Sequence, residues 1–165
     1  MKSRIVWWIL TALCALLILG LSSQSASQSS GLSNSLAQSV LEKVPAYQEL
    51  TPEKQAAVSA KANDILRDIA HVVTFMALGF CASMLIRCYA VRHWAAVIFP
   101  VLAAFAVLDE SVQHWSNAGR AFQFIDLLKD WLGGLLGMMI VALIGWIIRQ
   151  RKREESSHGV SSSGT

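Results

Sequence analysis

The 165-residue chain has no Cys/His zinc spacing, no G-x-x-x-x-G-K phosphate loop, no G-x-S-x-G elbow and no internal repeat. Zinc-finger, P-loop and α/β-hydrolase chemistry therefore lack their sequence basis. Charged residues are scarce, at 15%. The three cysteines stand at 14, 81 and 88, inside or beside apolar runs, which excludes a disulfide framework and leaves packing as their role. Net charge of +3 carries no nucleic-acid signature. There is also no stretch that would fold as a separate soluble catalytic domain: outside the apolar runs about ninety residues remain, in one long loop and two tails, too few to bury a useful core.

What the chain does have is hydrophobicity in blocks. Hydrophobic residues make up 54%, and four runs stand out: Ile5 to Leu21, Ile69 to Ile86, Trp94 to Leu108 and Trp131 to Ile148. A bilayer core about 30 Å thick needs roughly 17 to 25 helical residues. Three of the runs reach that length alone. The third does so only if its helix continues through Asp109, Glu110 and Gln113, which places carboxylates at one membrane face. The fold class predicted is an all-α membrane protein with four transmembrane helices, spanning about 5–21, 69–86, 94–110 and 129–148. Residues 22–68 form a partly helical extracytoplasmic loop, and 149–165 a basic, then disordered, cytoplasmic tail.

Charge asymmetry sets the expected orientation. Lys2, Arg4, Arg87, Arg92, Arg149, Arg151, Lys152 and Arg153 flank one set of span ends, whereas nine of the eleven acids lie on the other side. The positive-inside rule then puts both termini in the cytoplasm. A cleaved signal peptide at 1–21 is the competing reading, but the run is long for an h-region and no A-x-A pattern follows it.

In the loop, Ser22 to Ser39 holds nine serines and three glutamines in eighteen residues and reads as a linker. Leu32, Leu36, Val40 and Val44 then recur every fourth residue, with Ser33 as a candidate N-cap and Pro45 as a stop, predicting a short amphipathic helix. Thr51-Pro52-Glu53 starts another, which either runs on into the second span or breaks near Asn63-Asp64.

Polar residues line up inside this apolar frame. At about 100° per residue, Arg67, His71, Thr74 and Leu78 share an arc of roughly 60° on the second span. Asp126, Asp130, Gly133 and Gly137 share an equally narrow arc on the fourth, where Gly133-x-x-x-Gly137 permits close helix approach. Asp109 and Gln113 are four apart at the end of the third span. A charge deep in a bilayer costs roughly 2.5–3.5 kcal/mol on insertion scales, so these groups must be paired or hydrated. Arg67 and Arg120 are the cations expected to serve Asp109, Glu110, Asp126 and Asp130. Two readings stay open: an ion-pair network that fixes helix assembly, and a water-accessible pocket that binds a ligand. His71 and these acids are metal-competent donors, but spacing does not define coordination geometry, and neither a metal nor a cofactor is predicted. Ser22, Ser23 and Ser111 offer hydroxyls without a base indicated beside them.

Taken together, Ser22-Ser23-Gln24, Arg67 with Ala70-His71 and Phe75, Asp109-Glu110-x-x-Gln113, Gly119-Arg120, Asp126, Asp130, Gly133 and Gly137 resemble the VanZ-like family of bacterial membrane proteins over nearly all of residues 5–145. One position departs: where the family often carries an acid before the aromatic that follows His, this chain has Thr74. The resemblance implies a multi-span protein of the bacterial plasma membrane, in a family whose namesake is associated with low-level resistance to the glycopeptide teicoplanin. The function expected is an envelope factor whose external pocket binds a lipid-linked headgroup or a lipophilic glycopeptide, with Arg67 and Arg120 contacting anionic groups. Membrane lipids, a lipid-linked envelope precursor or a glycopeptide are the expected partners. The alternative is an intramembrane hydrolase or transferase acting on a lipid headgroup, with His71 as acid/base and Asp126 or Asp130 as its partner.

Overall fold

The computed structural model describes residues 2–23, 35, 37–116 and 124–161, the side chains of Ser116 and of 156–161 excepted. These residues form helices α1 (Lys2–Ser22), α2 (Pro45–Gln48), α3 (Pro52–Arg87), α4 (Trp94–Ser116) and α5 (Phe124–Ser161), with no strand among them. All but α2 are long and apolar enough to cross a membrane. The chain is therefore a four-span helical protein.

The helices outrun the hydrophobic blocks that seed them. Once an apolar span has met the cost of nucleation, each added residue gains a hydrogen bond, so flanking helix formers are recruited. The alanine-rich stretch after Pro52 joins the second span without a break at Asn63-Asp64, making α3 a single helix of 36 residues. Pro52 sits in its first turn, and Thr51 has N-cap backbone angles but makes no side-chain cap bond. Helix α4, the third span, passes through Asp109, Glu110 and Gln113, as its spanning length requires. A disordered tail is expected from Ser156 onward, but α5 continues to Ser161, because Arg149 to Glu155 are helix formers that extend the span without a breaker.

In the long loop, residues 37–41 are helical and turn at 42–43, and Pro45 opens the short α2. Leu32, Ser33 and Leu36 of the expected amphipathic helix lie outside the described residues.

Helices α3 and α5 make the most extensive pairing, and α1 lies against α3 and α4. Glycine determines how closely the central pair approaches. A Cβ on Gly133 would meet the Val72 carbonyl, one on Gly79 the Gly134 backbone, and one on Gly137 the Met76 carbonyl and the Phe80 nitrogen. The core beneath holds Phe75, Leu78, Leu102, Ala106 and Met138, with the Phe75 and Phe105 rings 6.0 Å apart and tilted by 54°. Outward faces carry Leu13, Leu16, Val73, Val101, Met139 and Leu143, all exposed, as helices solvated by lipid require.

At one end of the bundle the Trp8 indole donates to the Tyr89 hydroxyl at 2.9 Å, Arg4 stacks on the same ring, and Arg87 donates to the Val141 carbonyl at 2.8 Å across Gly145. The other end gathers Ser22, His71, Asp109 and Asp130. Along α5, Asp130 and Arg149 are separated by about 28 Å of helix, close to one hydrocarbon thickness. The polar cluster thus lies near the far boundary of the apolar slab from the basic end, and not at its middle.

Candidate functional site

Each helix of the bundle sends a polar side chain to this end. Helix α4 contributes Asp109, fully buried, whose two oxygens are both engaged: Ser22 Oγ at the last turn of α1 donates to Oδ1 at 2.5 Å, and Gln113 Nε2, one turn on, donates to Oδ2 at 3.0 Å. Bonds to a carboxylate contribute roughly 1.5–3 kcal/mol each, which offsets part of the cost of removing Asp109 from water. The first span is thereby tied into the site.

Helices α3 and α5 supply the second pair. His71 Nδ1 lies 2.9 Å from Oδ1 of Asp130, a residue with no exposed surface. The acid partner of His71 thus comes from across the helix interface. Thr74, in the place where the resemblance leads one to look for an acid, turns its hydroxyl back to the Ala70 carbonyl at 2.8 Å. The other oxygen of Asp130, Oδ2, is buried with no hydrogen-bond partner. One donor atom from each of His71, Asp109 and Asp130 falls within 4.8 Å of the others, so three helices converge on a single point.

Asp126, one turn before Asp130, is also buried, and its counter-ion corrects the sequence expectation. Lys129 Nζ lies 2.8 Å from Asp126 Oδ1 and 2.5 Å from Asp68 Oδ1. Arg67 takes no part in this pairing. Lys129 and Asp68 stand one residue off the polar stripes of their helices, which is why a narrow arc excludes them, but a four-carbon stem reaches around the helix surface to the acid. The i, i+3 spacing of Asp126 and Lys129 was the available signal. Arg67 is half-buried, with Nε inside the protein and without a hydrogen bond. Glu110 is buried beside Asp109. Arg120 and Gly119 lie outside the described residues.

Beside the Lys129–Asp68 pair a shallow, open depression of about 240 Å³ is lined by Asp68, Ile69, Val72, Val73 and Lys129, and its accessible surface is apolar. A family model described as VanZ/LLP1 matches residues 7–145. The chain belongs to the VanZ-like family. Neither the curated proteins nor the solved structures contain a match to it. The matched region begins within α1 and ends within α5, so the whole polar end of this VanZ-like bundle falls inside it.

Proposed function

We infer that this VanZ-like protein binds the polar end of a lipidic ligand, either a lipid-linked envelope precursor or a lipophilic glycopeptide of the teicoplanin type, at the polar end of the bundle. The observation that supports this most is the shallow apolar depression formed by Ile69, Val72 and Val73 next to the Lys129–Asp68 ion pair: apolar surface beside charge suits a molecule with a chain and a headgroup. Arg67, with its Nε buried and unbonded, is next to Asp68 in the chain and offers a fork of donors to an anionic headgroup. Membership of the VanZ-like family points to the bacterial plasma membrane, and the charge asymmetry of the span ends favours both termini in the cytoplasm, so the cluster would face the cell exterior and any resistance to glycopeptides would arise there.

Purified protein in nanodiscs should bind a lipid-linked phosphate or teicoplanin saturably. Arg67→Lys and Arg120→Lys, which keep charge but lose the planar fork, should each weaken binding about tenfold. Absence of saturable binding to either probe would remove this reading.

A second reading, an intramembrane hydrolase or transferase, is favoured by the Ser22–Asp109 contact at 2.5 Å beside the His71–Asp130 pair, since a hydroxyl, a carboxylate and an imidazole are the parts of nucleophilic catalysis. Lipid-headgroup turnover that is abolished by both His71→Ala and Asp130→Asn at unchanged membrane abundance would establish it; activity surviving either change would exclude it.

A further inference from the structure

The feature that hydrogen bonding within the cluster does not explain is the second oxygen of Asp130. It is fully buried and accepts nothing, although an unsatisfied carboxylate oxygen is among the costliest atoms to bury. Among the described residues no ion pair brings a lysine or arginine to Asp130. Among the described side chains Lys129 is occupied by Asp68 and Asp126, which leaves two fully buried carboxylates, Asp109 and Asp130, facing one imidazole.

We propose that His71, Asp109 and Asp130 form a binding site for one divalent transition-metal ion, with Zn²⁺ or Mn²⁺ as the chemical class. Three features support it. The donor atoms come from α3, α4 and α5 and lie within 4.8 Å of one another, so the bundle itself brings them together and no single helix face does. The 2.9 Å separation of His71 Nδ1 and Asp130 Oδ1 is close to the edge, about 3 Å, between two adjacent ligands of an octahedral ion bound at about 2.1 Å. Asp130 Oδ2 provides an acceptor with nothing else to bind.

The donor set also selects the ion. Two carboxylates and an imidazole are too nitrogen-rich for a site built for Ca²⁺ or Mg²⁺ and contain no thiolate, while Zn²⁺ and Mn²⁺ accept mixed nitrogen and oxygen ligands. Three protein ligands leave at least one position open, as sites that admit water or an anionic oxygen do. Ser22 and Gln113 hold Asp109 from behind, the arrangement by which outer residues orient a ligating carboxylate. Binding requires His71 in its neutral form and a small approach of Asp109 towards the other two donors. The site stands on these contacts alone, whether or not a lipidic molecule occupies the depression.

The test uses the full-length chain in detergent, stripped with chelator and titrated with Zn²⁺, Mn²⁺ and, as a spectroscopic probe, Co²⁺. Wild-type protein is expected to bind one equivalent and to give a Co²⁺ d–d absorption of a nitrogen and oxygen site. Asp130→Asn and His71→Gln should weaken binding at least tenfold, and Ser22→Ala should weaken it less, whereas Glu53→Gln, exposed in the first turn of α3, should leave it unchanged. Absence of the Co²⁺ band in the wild type overturns the proposal even if the variants fail to fold. So does retention of wild-type affinity by folded Asp130→Asn, because the metal would then be held elsewhere, for example by an exposed histidine.

Discussion

Gly137→Ala is expected to lower the stability of the bundle by about 2–3 kcal/mol, although alanine is the better helix former by roughly 1 kcal/mol. The new Cβ has no room: it meets the Met76 carbonyl, the Phe80 nitrogen at 2.6 Å and the Gly79 carbonyl carbon at 3.1 Å. All are backbone atoms, so no rotamer change relieves the contact. The two helices must move apart, and α3 and α5 form the most extensive pairing in the molecule. In lipid this is costly, since helices there associate through close packing and not through exclusion of water. Gly20→Ala supplies the control, because nothing lies within 4 Å of the added carbon, and it should be neutral or stabilising. Thermal unfolding of the two variants in the same detergent makes the comparison, and equal midpoints would show that close approach at Gly137 does not hold the bundle together. The same separation would pull His71 on α3 away from Asp130 on α5, so loss of stability and loss of the site are coupled.

The second large effect is expected at Lys129. Lys129→Met keeps the length and apolar stem of the side chain but leaves Asp126, 2% exposed, without its ammonium partner. Removing one member of a buried ion pair costs roughly 3–5 kcal/mol; because Lys129 is 22% exposed and water reaches the pair, the expected loss is about 2 kcal/mol. Replacing both members, Lys129→Met with Asp126→Leu, should recover most of it, because the penalty arises from an uncompensated charge and not from the missing contact. A double-mutant cycle on detergent unfolding measures this, and simple additivity of the two changes would show that the pair is not coupled. Asp68 remains in the single variant, but it is the more exposed acid, at 43%, and is able to take its hydration from the interface.

The polar residues of this chain illustrate how far a helical pattern can be read. His71, Asp109, Gln113, Asp126 and Asp130 are visible in the sequence because each lies in or directly beside an apolar run, and an apolar run fixes both the helix and the lipid around it. The pairing among them was not visible. The sequence offered Arg67 and Arg120 as available cations, and among the described residues Asp126 pairs with Lys129, whose position off the stripe hid it. Thr74 stands where an acid one turn from His71 was looked for, and of the two acids the sequence offered as its partner, Asp126 and Asp130, it is Asp130 that reaches the ring from the neighbouring helix. Ser22 looked like a hydroxyl at the start of a linker, and it is the residue that secures Asp109.

The sequence alone determined that this is a four-span helical membrane protein and which residues are too polar for the lipid they sit in, because spanning length and the cost of burying charge are properties of single segments. Only the tertiary structure decided which of those residues meet. Rotation of one helix about its axis by a few tens of degrees leaves every hydropathy pattern intact, yet it decides whether Asp130 reaches His71, and that angle is set by glycine contacts between helices far apart in the chain.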